Sequence, residues 1–366
     1  MRRPPKIVDL FAGPGGLDVA ARWLDVPTVG IELDTSACKT RDAEKLETRH
    51  DDVRNFKPSD FSDATVLAGG PPCQTYTVAG SGAGRRALDD VLDFAERMAL
   101  RLDVGTDLEK LAADHNGDDR TGLVLEPLKW ALQAIDDGNP YDAIVLEQVP
   151  AVLPVWQAMK TILEKEGYNA ACDVLRAEEF GVPQTRRRAV LIARLEGEAL
   201  LPEPTHRPYR KNVSREEGPE GLSPWVAMKD VLARPEPFVV VSNYGTGGDP
   251  KNRGQRTSAE PAFTVTGKIS RNRVETPDGR PADPPRFTPE ESGQLQTFPA
   301  DYRWRGRDVA QQIGNAIPPR LAAYILVAAL GLDKKLLHKI FSDPKIPAGG
   351  SLLTPLEVAS SPTAIR

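Results

Sequence analysis

Six short apolar runs, none alternating regularly with polar residues, are threaded through residues 1–195 with helical stretches between them. They are Ile7–Leu10, Thr28–Glu32, Thr65–Ala68, Ala143–Glu147, Ala170–Leu175 and Ala189–Ala193. A strand that is apolar on both faces must be covered on both faces. The pattern therefore predicts an α/β fold, a mostly parallel sheet flanked by helices. In open sheets of this kind, ligands and chemistry collect at the carboxyl ends of the strands.

Two of those ends stand out. Asp9-Leu10-Phe11-Ala12-Gly13-Pro14-Gly15-Gly16-Leu17 reads as strand, glycine-rich turn and helix, the form of a cofactor cradle. Its turn lacks the Gly-x-Gly-x-x-Gly spacing of dinucleotide sites, so no pyrophosphate is expected there. Cys73 follows the third run in Gly69-Gly70-Pro71-Pro72-Cys73-Gln74, where a nucleophile belongs. Taken singly, a Pro-Pro-Cys is more often a turn with a buried thiol, and glycine is the default residue of any tight turn. In this order along one chain the two are far more specific. Cys38 and Cys172 fall in helix and strand patterns and are read as structural.

Composition sets limits. A chain of 366 residues exceeds one typical core, so two domains are expected. At 40% hydrophobic and 27% charged it has the make-up of a soluble globular protein. No run approaches the roughly 18 apolar residues of a membrane helix, and the start has no signal-peptide core. Three cysteines without a CxxC pair or a His/Cys cluster indicate neither a disulfide framework nor a metal. A reducing, cytoplasmic compartment is expected. The net charge of −5 counts mildly against nucleic acid, but a binding face needs only local basicity. From Lys251 to Arg273 six basic residues face one acid, Glu260.

Along the chain, Ala151 to Gly167 predicts an amphipathic helix. Arg85 to His115 reads as helical and charged, with Leu88, Leu92, Ala95, Ala99 and Leu102 on one face, and is expected to decorate the surface, the alternative being a DNA clamp or a partner-docking element. From Glu196 to Pro285 turn signals such as Gly247-Gly248-Asp249-Pro250 and Pro277-Asp278-Gly279 dominate, which predicts a small β-rich domain. Proline at Ile317-Pro318-Pro319 suits a first helical turn. Beyond about Leu337 the Pro/Ser/Ala-rich texture predicts a mobile tail.

The motifs together resemble the cytosine-5 DNA methyltransferases. Glu147-Gln148-Val149 is similar to the family's Glu-Asn-Val, and Gln184-Thr185-Arg186-Arg187-Arg188 to its Gln-x-Arg-x-Arg. Arg286 to Pro299, ending in Leu295-Gln296-Thr297-Phe298-Pro299, resembles the ninth motif, and Gln312-Ile313-Gly314-Asn315-Ala316 the tenth. The resemblance implies a Rossmann-like catalytic domain of residues 1–195 and 286–335, with a helical insertion at about 85–117. It further implies a target-recognition domain at 196–285, leaving 336–366 as tail.

What the resemblance implies chemically is methyl transfer from S-adenosylmethionine to carbon-5 of a cytosine flipped out of double-stranded DNA. Cys73 would add to carbon-6, turning carbon-5 into a nucleophile. Glu147 would hydrogen-bond or protonate N3. Alternate residues of an extended segment share a side, so Arg186 and Arg188 can both face the pocket while Arg187 turns away. Arg188 would fix the base and Glu147, with Arg186 in support. The cofactor would lie on Phe11, Gly13, Gly15 and Gly16, with Glu32 on its ribose and Asp52 on its adenine. Pro72, Leu123 and Asn315 would complete that site. Gln74, Arg253, Arg256, Thr264, Arg271 and Arg273 would contact DNA, and Gly80-Ser81-Gly82-Ala83-Gly84 would close on it.

The implied enzyme is a monomer without metal, possessing no membrane segment and working beside an independent restriction endonuclease. Gln148 departs from the family's asparagine, Glu290 and Gln294 from its arginines, and Tyr76-Thr77 from Phe-Ser. Two alternatives stand beside this reading. One is a catalytically silent DNA-binding or cofactor-sensing relative. The other is a transfer-RNA cytosine-5 methyltransferase, whose Cys-Phe-Thr element is absent here.

Overall fold

The computed structural model describes residues 3–72, 82–114, 119–235, 237–245 and 253–342. Seven strands form one sheet: β1 (Ile7–Leu10), β2 (Thr28–Glu32), β3 (Glu47–His50), β4 (Val66–Gly69), β5 (Ala143–Gln148), β6 (Asn169–Arg176) and β7 (Arg187–Arg194). Their order is β3-β2-β1-β4-β5-β7-β6. The five strands from β3 to β5 run parallel, and β7 is antiparallel to both its neighbours. β1 and β4 are buried throughout, as their apolar runs require.

The two edges differ from expectation for one reason. β3, Glu-Thr-Arg-His, is too polar to be recognised as a strand, and its charges suit an exposed edge. β6 is the opposite edge and is only partly buried, not doubly covered.

Alternation along β1 sends Val8 and Leu10 to one face and Ile7 to the other. On the first face lie α5 (Glu126–Asp136) and α6 (Leu153–Lys165). On the second lie α1 (Gly16–Trp23), α9 (Pro319–Leu330) and α10 (Lys335–Phe341). The chain thus returns from beyond residue 300 to complete the second layer.

The charged stretch after residue 82 forms α3 (Gly82–Ala99) and α4 (Gly105–Asp114). It is part of the core rather than a decoration: Val91, Phe94, Ala95 and Met98 pack with α5 and α6. Leu102, expected on the buried face, is 52% exposed because the helix ends before it. Gly82-Ala83-Gly84 opens α3 instead of forming a loop. Arg101 locks the turn after α3. It donates to Asp136 at 2.8 and 2.9 Å and to Glu166 at 2.7 Å, joining α5 and α6.

One further expectation is corrected. α10 occupies the start of the stretch read as tail, with Leu337, Ile340 and Phe341 buried. The segment Val309–Leu330 has the length and composition of a membrane span, but 78% of that window is buried in the protein. It comprises α8 (Val309–Asn315), a break, and the core helix α9.

Residues 196–285, read as β-rich, hold a small sheet. Among the described residues its strands are β8 (Val239–Gly245), β9 (Arg253–Thr257) and β10 (Arg273–Glu275), in the order β10-β8-β9. Their core, with Phe238, Val240 and Val274, is shared with Phe287, Leu295, Phe298 and Trp304. The turn at Pro277-Asp278-Gly279 is present, with Gly279 at φ 84°. Gly247 to Pro250 lie outside the described residues.

One buried ion pair fixes the amino-terminal turn. Arg41, from α2 (Thr35–Ala43), donates to both oxygens of Asp18 at 2.8 and 2.9 Å, and both side chains are sealed from solvent. The guanidinium crosses over Gly30, where a Cβ would stand 2.0 Å from Nη2. Removing one partner of such a pair strands a buried charge. Asp18→Ala is expected to lower the unfolding free energy by about 3–5 kcal/mol, measured by urea denaturation. A loss below about 1 kcal/mol would mean that the carbonyl of Glu47 and Thr48 Oγ1, which also accept from Arg41, suffice.

Candidate active site

The carboxyl ends of β2, β1, β4 and β5 stand side by side. Leu10 lies opposite Ile31 and Gly69, and Gly69 opposite Leu146. Whatever follows these residues shares one edge of the sheet.

After β1 the chain must turn sharply into α1. Phe11, Gly13 and Gly15 take left-handed conformations at φ 62°, 55° and 104°. Gly16 opens α1 against the 317 loop: a Cβ there would lie 2.3 Å from the Ile317 carbonyl oxygen. Glu32, ending β2, clamps the turn. Its Oε2 accepts from the Gly13 N–H and its Oε1 from the Asp34 N–H, each at 2.7 Å. Burial pushes the Glu32 carboxyl up from its ordinary range, while these two backbone donors pull the other way. Leu33 follows directly and is 61% exposed. Sequence reasoning passed over it, though an apolar residue beside a candidate ribose acceptor is a signal.

Asp52 stands after β3 and is tied to Arg54. Its Oδ1 accepts from the Arg54 N–H and Nε, both at 2.9 Å, and its Oδ2 from Nη2 at 2.6 Å. The Arg54 side chain holds it below the usual carboxylate range. Only Oδ2 retains spare acceptor capacity. Pro72 and Leu123 are half-buried, the latter in the 3-10 stretch Asp119–Leu125. Asn315 is exposed at the end of α8 and accepts from Gln311 at 2.7 Å.

At the end of β5, Glu147 lies opposite Val190 of β7. Arg188 is two residues earlier on the same face, the diagonal position of an antiparallel pair. The two meet with Nε–Oε1 at 2.8 Å, their side chains 12% and 11% exposed.

Arg186 does not share that opening. It is fully buried, and its Nη1 donates to the Val265 carbonyl at 2.8 Å. Its Nη2 donates to the Gly314 and Ala316 carbonyls, both at 3.0 Å. Burial, reinforced by the charge of Arg188, pushes this guanidinium well below its ordinary range. The alternation rule fails because β7 begins only at Arg187, so Arg186 belongs to the preceding turn. Its support is indirect, through backbone carbonyls.

Two residues that sequence reasoning left without a role work with it. Gln184 Nε2 donates to the Leu295 carbonyl at 2.7 Å and to Gln296 Oε1 at 2.8 Å, and its Oε1 accepts from the Val265 N–H. Gln296 Nε2 donates to the Ile313 and Ala316 carbonyls. Both glutamines lie inside motifs noted in the sequence, but only tertiary contacts reveal what they bind.

Of the residues expected on DNA, Thr264 donates to the Thr185 carbonyl at 2.6 Å, fastening its segment to the turn before β7. Arg256 is corrected: its guanidinium is stacked 4.0 Å from the ring of Tyr209 and 5.1 Å from that of Phe263. Such a guanidinium stiffens the small domain rather than projecting from it. Arg273 is exposed and pairs with Glu275 at 2.9 Å. Arg271 is exposed, and Arg253 faces Gly245. Because Arg273 lies opposite Val241, and Asn272 Oδ1 accepts from the Asn243 N–H, Arg271 and Arg253 flank the last residues of β8. Cys73 and Gln74 lie outside the described residues. Among those described, no cluster of His, Cys, Asp or Glu could hold a metal.

Known proteins with this arrangement are methyltransferases. The sequence model of the C-5 cytosine-specific DNA methylases matches residues 5–93 and 132–330, passing over 94–131. Type II methyltransferase M1.HphI of Haemophilus parahaemolyticus is 28% identical, over 89% of this chain and 87% of its own. M.NlaX of Neisseria lactamica is 25% identical, over 93% and 99%. In fold, the chain is similar to the Entamoeba histolytica methyltransferase EhMeth at a TM-score of 0.56 and 13% identity, covering 90% of this chain and 99% of that one. A putative DNA modification methyltransferase encoded within an E. coli prophage gives a TM-score of 0.53 at 15% identity, covering 90% and 99%. The motif order, the mostly parallel sheet and the match over residues 5–93 and 132–330 agree, and the chain belongs to the C-5 cytosine-specific DNA methylase family as a DNA cytosine-5 methyltransferase.

Proposed function

We propose that this chain methylates carbon-5 of a cytosine flipped out of duplex DNA, through a covalent bond from Cys73 to carbon-6, within a short site read by residues 196–285. The observation that carries the reading is the Glu147–Arg188 pair at the end of β5, next to the strand that leads through Pro71-Pro72 to Cys73. Addition of a thiolate at carbon-6 puts negative charge on the N3 edge of the ring. Glu147 is placed to hydrogen-bond or protonate N3, and Arg188 holds the carboxyl group in orientation. Loss of the carbon-5 proton and then of the thiolate restores the ring.

The family and the fold are those of S-adenosylmethionine-dependent methyl transfer. The amino-terminal turn fits that molecule. Glu32 is held by two backbone donors, and each oxygen keeps acceptor capacity for a ribose hydroxyl. Space is open over Gly13, with nothing within 4 Å of where a Cβ would stand. Leu33 offers an apolar face to a purine, with Asp52 Oδ2 able to accept from its amino group. Phe11, Gly15 and Gly16 shape the turn, and Pro72, Leu123 and Asn315 would bound the methionine end. When bound there, S-adenosylmethionine supplies the methyl group that carbon-5 takes up.

Arg253 and Arg271, with Arg273 beside them, present positive charge at one end of the small sheet and are the proposed DNA contacts, as is Gln74. Relatives named Type II methyltransferases support a modification enzyme that works beside an independently acting endonuclease; a cytoplasmic monomer is the proposed form.

Three outcomes are expected. Cys73→Ser should abolish incorporation of labelled methyl into duplex DNA and lose the wild-type adduct with 5-fluorocytosine DNA, leaving cofactor binding within a few-fold. A serine variant that still methylates removes the covalent mechanism, and transfer of label to transfer RNA alone reassigns the substrate. Glu32→Ala should weaken S-adenosylmethionine binding by about 1–3 kcal/mol in calorimetry. Because the Glu32 carboxyl titrates above its ordinary range and must be ionised to accept two hydroxyls, affinity should fall on acidification while the pH is still above about 4.3, the ordinary glutamate value. Glu32→Gln should flatten that dependence, and an unchanged profile would displace the site. Finally, residues 196–285 grafted onto a related methyltransferase should transfer a recognition site of about two to four base pairs, with each base reader worth about 1–3 kcal/mol. An active chimera that keeps its original site places recognition elsewhere.

A further inference from the structure

Gln148 stands where the motif resemblance leads one to expect asparagine, and the structure gives its extra methylene an occupation. β4 ends at Gly69, but the chain continues beside β5: a Cβ on Gly70 would lie 3.8 Å from the Glu147 carbonyl oxygen. A parallel neighbour would ordinarily be held by ladder hydrogen bonds. Pro71 and Pro72 have no N–H to give, so from this side the ladder cannot continue. The Pro71 carbonyl is left as an acceptor, and the Gln148 carboxamide takes it, Nε2 donating to the Pro71 oxygen. The other end of the amide is also fixed, Oε1 accepting from the Val149 N–H. Donor to carbonyl and acceptor to N–H leave only one orientation of the amide. The side chain thus replaces the peptide link that the two prolines remove.

We infer that Gln148 is a positioning residue for methyl transfer. It sets the spacing between the Pro71-Pro72 stretch, from which the Cys73 segment departs, and Glu147, its own neighbour on β5. Glu147 is independently fixed by Arg188 from β7. Gln148 is therefore the side chain that references the loop to the acid. An asparagine is shorter by about 1.5 Å, one C–C bond. It would fall short of the Pro71 oxygen unless the loop moved with it. In this chain the glutamine is matched to its loop, and restoring the family's usual residue should impair the enzyme rather than improve it.

The inference rests on the reading of Cys73 and Glu147 as the catalytic pair. Its test is steady-state methylation of duplex DNA by Gln148→Ala, Gln148→Asn and Gln148→Glu, together with 5-fluorocytosine adduct formation, S-adenosylmethionine binding and thermal melting. Misplacement of a reacting group by about 1 Å lowers rates by about 100-fold. Gln148→Ala and Gln148→Glu, which both lack a donor for the Pro71 oxygen, should lose about 10- to 100-fold in kcat. The KM for DNA, the cofactor affinity and the melting temperature should stay near wild type. Gln148→Asn should fall between these variants and wild type. Wild-type kcat in Gln148→Ala or Gln148→Glu overturns the inference. So does a loss in which melting temperature and cofactor affinity fall in step with kcat, since that marks a purely structural role. Full activity in Gln148→Asn overturns the claim that length is matched. A wild-type enzyme that methylates without forming the adduct instead refutes the covalent role of Cys73, and kcat still judges Gln148.

Discussion

Two short helices end inside this protein, and the carbonyls they leave behind decide how its parts are joined. The last turn of a helix has no internal partner for its C=O groups, and in a dry interior they must be met by side chains. α7 (Pro289–Leu295) ends at Leu295, whose carbonyl accepts from Gln184. α8 ends at Asn315, and the Ile313 and Gly314 carbonyls accept from Gln296 and Arg186. A guanidinium at a helix carboxyl end is also favoured by the helix dipole. The same three side chains reach Val265 and Ala316. One knot of buried amides and a guanidinium therefore joins the turn before β7, the end of the small domain and the returning carboxyl-terminal segment. Glu147 and Arg188 sit directly beyond it, so the site inherits its rigidity.

The charge balance looks different in this light. Arg41, Arg186 and Arg320 are sealed from solvent and Arg234 nearly so. Arg320 lies 4.0 Å over the ring of Phe341 and donates to the Phe180 carbonyl. Arg256 is held between rings. A formal balance of −5 counts these charges as if they faced water. For a protein that handles DNA, what matters is where its exposed cations cluster: Arg271 and Arg273 are exposed at and just before β10, with half-buried Arg253 on β9 across β8.

How much of this was legible in the sequence follows from how local each feature is. The buried strands were readable because a doubly covered strand needs an unbroken apolar run. β3 was not, since a polar edge strand looks like a turn, and β6 was misjudged because its residues are apolar enough for a core but lie at the rim. The helical character of residues 82–114 was legible, and Leu88, Leu92, Ala95 and Ala99 do face the core; only Leu102 was misassigned, because α3 ends before it. Glu32 and Glu147 were placed by ending strands, a local signal. Arg186 and Arg256 were not, because each is defined by partners scattered along the chain, from Tyr209 to Ala316.

The seam between the small domain and the returning segment is made of bare backbone. A Cβ on Gly314 would lie 2.2 Å from the Gly267 nitrogen, and one on Gly267 would lie 1.9 Å from Gln311 Oε1. A side chain at Gly314 would strike the Thr266–Gly267 backbone, whereas one at Gly267 would strike the end of the Gln311 side chain. Such a seam ties the residue at 314 to the backbone path at 266 and 267, so an exchange of gene segments must carry a glycine at 314 wherever that path is kept. A crossover falling between residues 267 and 314 would join halves from different parents. Such offspring would keep this packing only when the parent that supplies residue 314 has glycine there.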